Sequence, residues 1–275
     1  MLSETLAFIG GGNMARSLIG GLISQGLPAH QIIVADPVAA QREQLAQQYR
    51  VQVTGDNQLA AGAAQIIVLA VKPQELRKVA EGLAGSVSTH RPLIISVAAG
   101  IRASDLQRWL GGLPVVRTMP NRPALNGCGV TGMYANAQVP AAQRELVGKI
   151  MNAVGKSVWV EQETLIDAVT AVSGSGPAYF FLLMELLEAA GVEQGLPSET
   201  ARTLAIETAY GAGFMAREVS DPPAVLRQQV TSRGGTTEAA LKVFDANNLR
   251  SIVSQAVKAA ADRSAELAMV LGQAN

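Results

Sequence analysis

Strand and helix alternate through roughly the first 160 residues, and most of the strands are continuous apolar runs. Leu6–Ile9, Ile32–Ala35, Val51–Thr54, Ile66–Ala70, Leu93–Val97 and Val115–Met119 are short β-branched runs. Between them lie helical stretches at Met14–Gln25, Val38–Tyr49, Gln74–Gly82 and Arg102–Leu110. A strand with one wet face alternates apolar and polar residues. A strand without that alternation is covered on both faces, as in a parallel sheet between two helical layers. The expectation is therefore α/β, with an N-terminal Rossmann-type doubly wound sheet. Two further strands, Val130–Tyr134 and Ser157–Val160, flank a helix at Ala141–Val154.

After Glu163 the pattern is helical only, through Leu165–Val172, Pro177–Gly191, Ser198–Val219, Pro223–Val230, Thr236–Asn247 and Leu249–Leu271. At 275 residues the length suits two domains. We expect a dinucleotide-binding domain over 1–163 and an all-helical domain over 164–275. Ser198 and Pro177 carry the helix-start signals. Tyr179–Met184 is apolar on every side, so it is either an oligomer interface or the centre of a monomeric bundle.

Charge and special residues exclude several classes. Lys+Arg and Asp+Glu are both 22, with no basic block for nucleic acid. One cysteine and two histidines leave no disulfide framework and no metal site. Cys128, between two glycines, reads as a buried or half-buried structural thiol. No signal peptide pattern opens the chain, and apolar stretches such as Leu93–Gly100 are short of about 20 residues. The expectation is a soluble cytoplasmic protein that does not enter membranes.

The sharpest local signal is Phe8-Ile9-Gly10-Gly11-Gly12-Asn13-Met14-Ala15. It fits G-x-G-x-x-A after a strand and at the start of a helix, the context that identifies a dinucleotide-binding turn. Gly10 permits the tight turn, Gly12 lets backbone approach a pyrophosphate, and Ala15 allows close helix–strand packing. The phosphates then meet free N–H groups at a helix N-terminus. Asp36, at the end of the second strand, is placed either to bond the adenine ribose or to cap the next helix. A carboxylate there repels a 2′-phosphate, so NADH is expected to be accepted, with the phosphate preference open. Lys72, in Ala70-Val71-Lys72-Pro73-Gln74, either meets the cofactor or is a solvated loop lysine. Ser96–Gly100 supplies small residues that leave room for a flat ring. Thr231–Thr237 is a glycine-rich turn before a helix, equally consistent with an anion nest and with a simple cap.

These motifs together resemble the Δ1-pyrroline-5-carboxylate reductase family along the whole chain. They are FIGGGNMA, AVKPQ, SVAAG, RTMPNRPA at Arg117–Ala124, DAVTAVSGSGPAYFF at Asp167–Phe181 and QVTSRGGTT at Gln229–Thr237. The resemblance implies reduction of a cyclic imine to L-proline by NADPH or NADH. It implies a helical C-terminal domain that interlocks in a homodimer, often assembled into rings such as decamers. It also implies that Gly10, Gly12, Asn13 and Met14 hold the pyrophosphate, with Asn57 beside the adenosine. Ala70, Lys72 and Pro73 line the ribose, and Ala98 and Gly100 lie near the nicotinamide. Met119, Pro120 and Asn121 form a floor, and Ser232, Gly234, Gly235 and Thr236 bind the substrate carboxylate. The resemblance also implies that Thr237 stands beside the substrate nitrogen as the catalytic residue. Ser175 and Tyr179 either orient the ring or serve as helix cap and packing.

Two departures stand out. The family usually has Pro at the position of Arg233, so the turn here is looser and carries an added cation. It often lacks an acid at Asp36, which argues against a strict NADPH preference. Two other classes fit the folded pattern: a 3-hydroxyacid dehydrogenase, which would need a motif lysine that Lys242 and Lys258 do not supply, and a non-catalytic dinucleotide sensor.

Overall fold

The computed structural model describes residues 3–273. The chain forms two compact units. One runs to Gly174 and takes in the chain again from Ala260; the other is Ser175–Ala259.

The first unit is an eight-stranded sheet: β1 (Leu6–Ile9), β2 (Ile32–Ala35), β3 (Gln52–Thr54), β4 (Ile66–Leu69), β5 (Leu93–Ser96), β6 (Val115–Met119), β7 (Gly129–Ala135) and β8 (Gly155–Trp159). Their order is β3-β2-β1-β4-β5-β6-β7-β8. β1 to β6 pair in parallel, with Phe8 opposite Val34 on one side and Val68 on the other. β7 runs antiparallel to β6, and β8 returns parallel to β7.

Every residue of β1, β2, β4 and β5 is buried. Successive side chains enter opposite layers. Leu6 and Phe8 join the core under α1 (Asn13–Ser24), α2 (Ala39–Tyr49) and α6 (Ala141–Met151). Ala7 and Ile9 join the core under α3 (Asn57–Gly62), α4 (Pro73–Val87) and α5 (Ala103–Leu110). That double burial is why the strand sequences do not alternate. The edge strands β3 and β8 are partly exposed.

The sequence did not announce α3. Asp56 starts it by accepting from the N–H groups of Gln58 (2.8 Å) and Leu59 (3.3 Å), a side-chain cap. The expected helix at Ala141–Val154 ends as α-helix at Met151 and tightens to a 3₁₀ turn over Asn152–Val154. Cys128 is exposed, contrary to the buried thiol expected.

The expected boundary at 163 and the observed division do not coincide, for a reason that sits on β6. Arg117 is 1% exposed. Its guanidinium meets Glu163 (3.2 Å) and Asp167 (3.8 Å). Asp167 also takes Arg102 (3.1 Å) and the Ser264 hydroxyl (2.8 Å), and Glu163 accepts from the Ala103 N–H (2.6 Å). This network fastens α7 (Leu165–Val169) and the far part of α12 (Leu249–Gln273) to the sheet. Farther along α12, Gly272 lies against Asp105, and its carbonyl accepts from Arg108 (3.2 Å). Burial lowers the Arg117 pKa, and the two carboxylates oppose that shift. Glu163 and Asp167, four residues apart, are drawn together by the arginine they share.

The second unit holds α8 (Gly176–Glu193), α9 (Ser198–Glu218), α10 (Pro223–Gln229), α11 (Thr236–Ala246) and the start of α12. α8 and α9 approach closely at Gly191, where a Cβ would lie 3.1 Å from the Ala201 methyl. Arg202 pairs with Glu188 across them (3.0 Å). The residue before α9 is Pro197, so Ser198 sits inside the helix and turns its hydroxyl towards Glu188 instead of capping. α8 leaves Phe180 and Phe181 each more than 60% exposed, beside Leu182 and Leu186. Leu165–Glu193 is long and apolar enough, by length and composition alone, to cross a membrane. An apolar face of this extent marks an interaction surface.

Candidate active site

The glycine turn closes β1 onto α1. Gly10 has φ +98° and donates its N–H to the Ala35 carbonyl (2.8 Å), and a Cβ there would lie 2.7 Å from the Ala70 oxygen. The fold itself demands that glycine. Gly12 differs. Its φ of −70° and ψ of −174° suit any residue, and a Cβ would meet nothing within 4 Å. Neither backbone geometry nor packing requires glycine at this position, so its missing side chain leaves volume at the N-terminus of α1. The first N–H groups of α1, from Asn13 and Met14, have no intrahelical acceptor. This cradle fits a dinucleotide pyrophosphate, and the buried Ala15 packs the helix onto the sheet beneath it.

Asp36 is 6% exposed and performs two tasks. Its Oδ2 accepts from the Gly11 N–H (2.8 Å) and its Oδ1 from the Val38 N–H (2.8 Å). It thus starts the turn into α2 and also ties the glycine loop to the end of β2, the edge where a ribose would lie. Asn57, the first residue of α3, lines a cleft of about 480 Å³ together with Gly55, Lys78 and Val79. Ala70 and Pro73 are half-buried at the end of β4, and Lys72 is exposed. Ala98 packs into the core under α5. Gly100 is backed by Leu271 of α12, whose Cδ1 would be 2.9 Å from a Cβ on that glycine. Both residues therefore have backbone, and no free side chain, to offer a ring.

Asn121 is held on both sides. Its Nδ2 donates to the Ser173 carbonyl (3.1 Å), and its Oδ1 accepts from the Val130 N–H (3.0 Å). The Ser173 carbonyl is available because the residue four positions on is Pro177, which has no N–H. Asn121 thus braces the β6–β7 connection against the π-helical turn Thr170–Gly174. In the same unit the Met119 methyl backs Gly174: a Cβ there would lie 2.8 Å from it. Ser175 directly precedes α8 but makes no side-chain cap bond, so the capping role weighed for it is not found.

In the second unit the turn before α11 corrects the expected anion nest. The Gly234 N–H is bonded to the Glu238 carboxylate (2.6 Å), and the Gly235 N–H to the Ser232 carbonyl (3.0 Å). Those two donors are used by the turn itself. The N–H groups that follow, those of Thr236, Thr237 and Glu238 in the first turn of α11, have no helical acceptor. Thr237 is half-buried, while Ser232 and Thr236 are exposed. The hydrogen bond from Gly234, seconded by Lys242 at 3.3 Å, holds the Glu238 carboxyl below its ordinary range. Arg233 is exposed. Among the described residues no cluster of His, Cys, Asp and Glu could hold a metal ion.

Comparison with known proteins agrees with both halves of the chain. A family model described as pyrroline-5-carboxylate reductase dimerisation matches residues 163–267, and one described as NADP oxidoreductase, coenzyme F420-dependent, matches residues 5–100. Pyrroline-5-carboxylate reductase of Pseudomonas aeruginosa is 52% identical over 274 residues, which covers 99% of this chain and 100% of that one. A solved pyrroline-5-carboxylate reductase from Coxiella burnetii is 42% identical with TM-score 0.94, covering 97% of this chain and 99% of its own. A pyrroline carboxylate reductase of Plasmodium falciparum, solved with NADP bound, is 28% identical with TM-score 0.83, covering 98% and 99%.

Proposed function

The chain belongs to the pyrroline-5-carboxylate reductase family, and from that premise we propose that it reduces Δ1-pyrroline-5-carboxylate to L-proline with NADPH or NADH, the last step of proline biosynthesis. The observation that carries the reading is Gly12, a glycine that the fold does not need at a helix N-terminus that a pyrophosphate does.

The reduced nicotinamide, when bound, supplies the hydride. The chain's own residues supply placement. Gly10, Gly12, Asn13 and Met14 hold the pyrophosphate, Asp36 and Asn57 the adenosine, and Ala70, Lys72 and Pro73 the ribose. The backbone at Ala98 and Gly100 borders the ring, and Asn121 keeps the adjoining loop in place. On the second unit, the N–H groups of Thr236 and Thr237 grip the substrate carboxylate, with the Ser232 hydroxyl beside them and Ser175 as a ring-orienting group. Thr237 Oγ hydrogen-bonds the imine nitrogen and retains its proton. A protonated imine already carries the charge that reduction neutralises, so it needs orientation to within about 3–3.5 Å of the donor more than strong acid catalysis. That need fits a site with no histidine.

Functionally the division follows 1–163 for the dinucleotide and 164–275 for substrate and subunit association. The family-model match that starts at 163 supports it. The apolar face of α8 is the natural contact for a second copy of the chain, which makes a membrane role unnecessary for Leu165–Glu193. An interlocked dimer, a ring of dimers such as a decamer, a cytoplasmic location and no nucleic-acid partner complete the reading. The test is loss of the reduced-nicotinamide absorbance with pyrroline-5-carboxylate, an oxoacid control and no substrate, each with NADH and NADPH. Oxidation with pyrroline-5-carboxylate alone is expected; oxidation only with the oxoacid, or none at all, overturns the reading.

A further inference from the structure

Asp36 should discourage a 2′-phosphate, yet the edge on which it sits also carries two arginines without an anionic partner. Arg42, on α2, donates from Nη1 to the carbonyls of Asp36 (2.7 Å) and Pro37 (3.0 Å). Its guanidinium lies over Gly55: a Cβ there would be 3.5 Å from Nη1 and 3.9 Å from Nη2. Gly55 belongs to the lip of the cleft that Asn57 lines. Arg16, on α1, donates from Nε to the Gly11 carbonyl (3.1 Å) and from Nη2 to the Gln44 side chain (2.9 Å). Among the described residues neither guanidinium meets a carboxylate, although most arginines with a close partner in this unit do.

The contacts of Arg42 use one nitrogen of its fork. They fix the guanidinium at the end of β2 without neutralising it, and leave Nε and Nη2 to donate. A rigid fork with spare donors and no counter-charge is suited to a phosphate. The Asp36 carboxylate, meanwhile, is turned to the N–H groups of Gly11 and Val38. Its charge is committed to protein donors, and Arg42 hangs from its own carbonyl.

We infer that Arg42 is a specificity-determining residue: it receives the 2′-phosphate of NADPH at the end of β2, so that Asp36 does not exclude the phosphorylated cofactor. Arg16 adds to the positive potential beside the glycine turn. The inference rests on the reading that a dinucleotide lies across Gly10–Asn13, and it adds which group tells the two cofactors apart.

The test is equilibrium binding by calorimetric titration of the full chain with NADP⁺, NAD⁺ and adenosine 2′,5′-bisphosphate. The variants are Arg42→Ala and Arg42→Gln; the glutamine keeps a polar N–H donor on a side chain of comparable character but carries no charge. Both variants should lose affinity for NADP⁺ and for the bisphosphate by about tenfold to a hundredfold, the range of one charge-assisted contact. NAD⁺ affinity should change less than about threefold. The steeper salt dependence of NADP⁺ binding in the natural chain should shrink to that of NAD⁺. Equal losses for both nucleotides, or unchanged NADP⁺ binding by Arg42→Gln, overturn the role of Arg42 and leave the dinucleotide site standing. No binding of either nucleotide by the natural chain overturns both.

Discussion

Replacing Gly12 with alanine separates what the glycine turn does for the fold from what it does for a ligand. The backbone at Gly12 is extended, and an added methyl meets nothing within 4 Å. Alanine there restricts the unfolded chain without straining the folded one, worth about 0.4–1 kcal/mol of added stability. For a chain of this size that raises the unfolding midpoint by about 1–4 °C. The same methyl stands where the pyrophosphate is proposed to approach. Losing one charge-assisted N–H contact costs about 1.5–3 kcal/mol, or about tenfold to a hundredfold in affinity. Gly10→Ala is the control. With φ +98° and the Ala70 oxygen 2.7 Å from the new methyl, it should destabilise by at least about 1–3 kcal/mol. Thermal unfolding without nucleotide and NADPH titration read the two effects independently. Unchanged NADPH affinity in Gly12→Ala, or a midpoint lowered by several degrees, would refute the reasoning.

Three further outcomes follow from the structure. Arg117→Met leaves Glu163 and Asp167 without their buried partner and should cost about 3–5 kcal/mol in denaturant unfolding; a loss under about 1 kcal/mol would show that Arg102 alone carries the network. Thr237→Ala should lower kcat by about tenfold or more with dinucleotide Kd nearly unchanged, and Thr237→Ser should recover much of it. Glu238 has a lowered pKa in the folded chain. Its contribution is therefore present above the ordinary value near 4.5 and lost as pH falls through the lower folded value. Glu238→Gln should flatten the acid side of the stability profile below that pH, and an unaltered profile would count against the Gly234 contact.

The parallel sheet was legible because strands buried on both faces have no alternation to hide, and Leu6–Ile9 and Ile32–Ala35 matched their elements residue for residue. The glycine turn was legible because its residues are contiguous and flanked by a strand and a helix. Arg117 was not. It lies in an apolar strand, its partners are far along the chain, and no local pattern announces a buried ion network. α3 is too short to display a period and depends on one capping aspartate. Of the N–H groups expected to form an anion nest, composition marks those of Gly234 and Gly235 but does not say that Glu238 and Ser232 already occupy them. Ser175 looked like a cap by position, and the structure gives it no cap bond.

The central proposal is that a small carboxylate is gripped by main-chain donors at the start of α11. A crystal structure with NADP⁺ and L-proline tests it most directly. The account predicts the proline carboxylate within hydrogen-bond reach of the Thr236 and Thr237 N–H groups, and Thr237 Oγ on the ring nitrogen. Proline bound elsewhere, or its carboxylate held by side-chain cations with those two N–H groups left free, would contradict it.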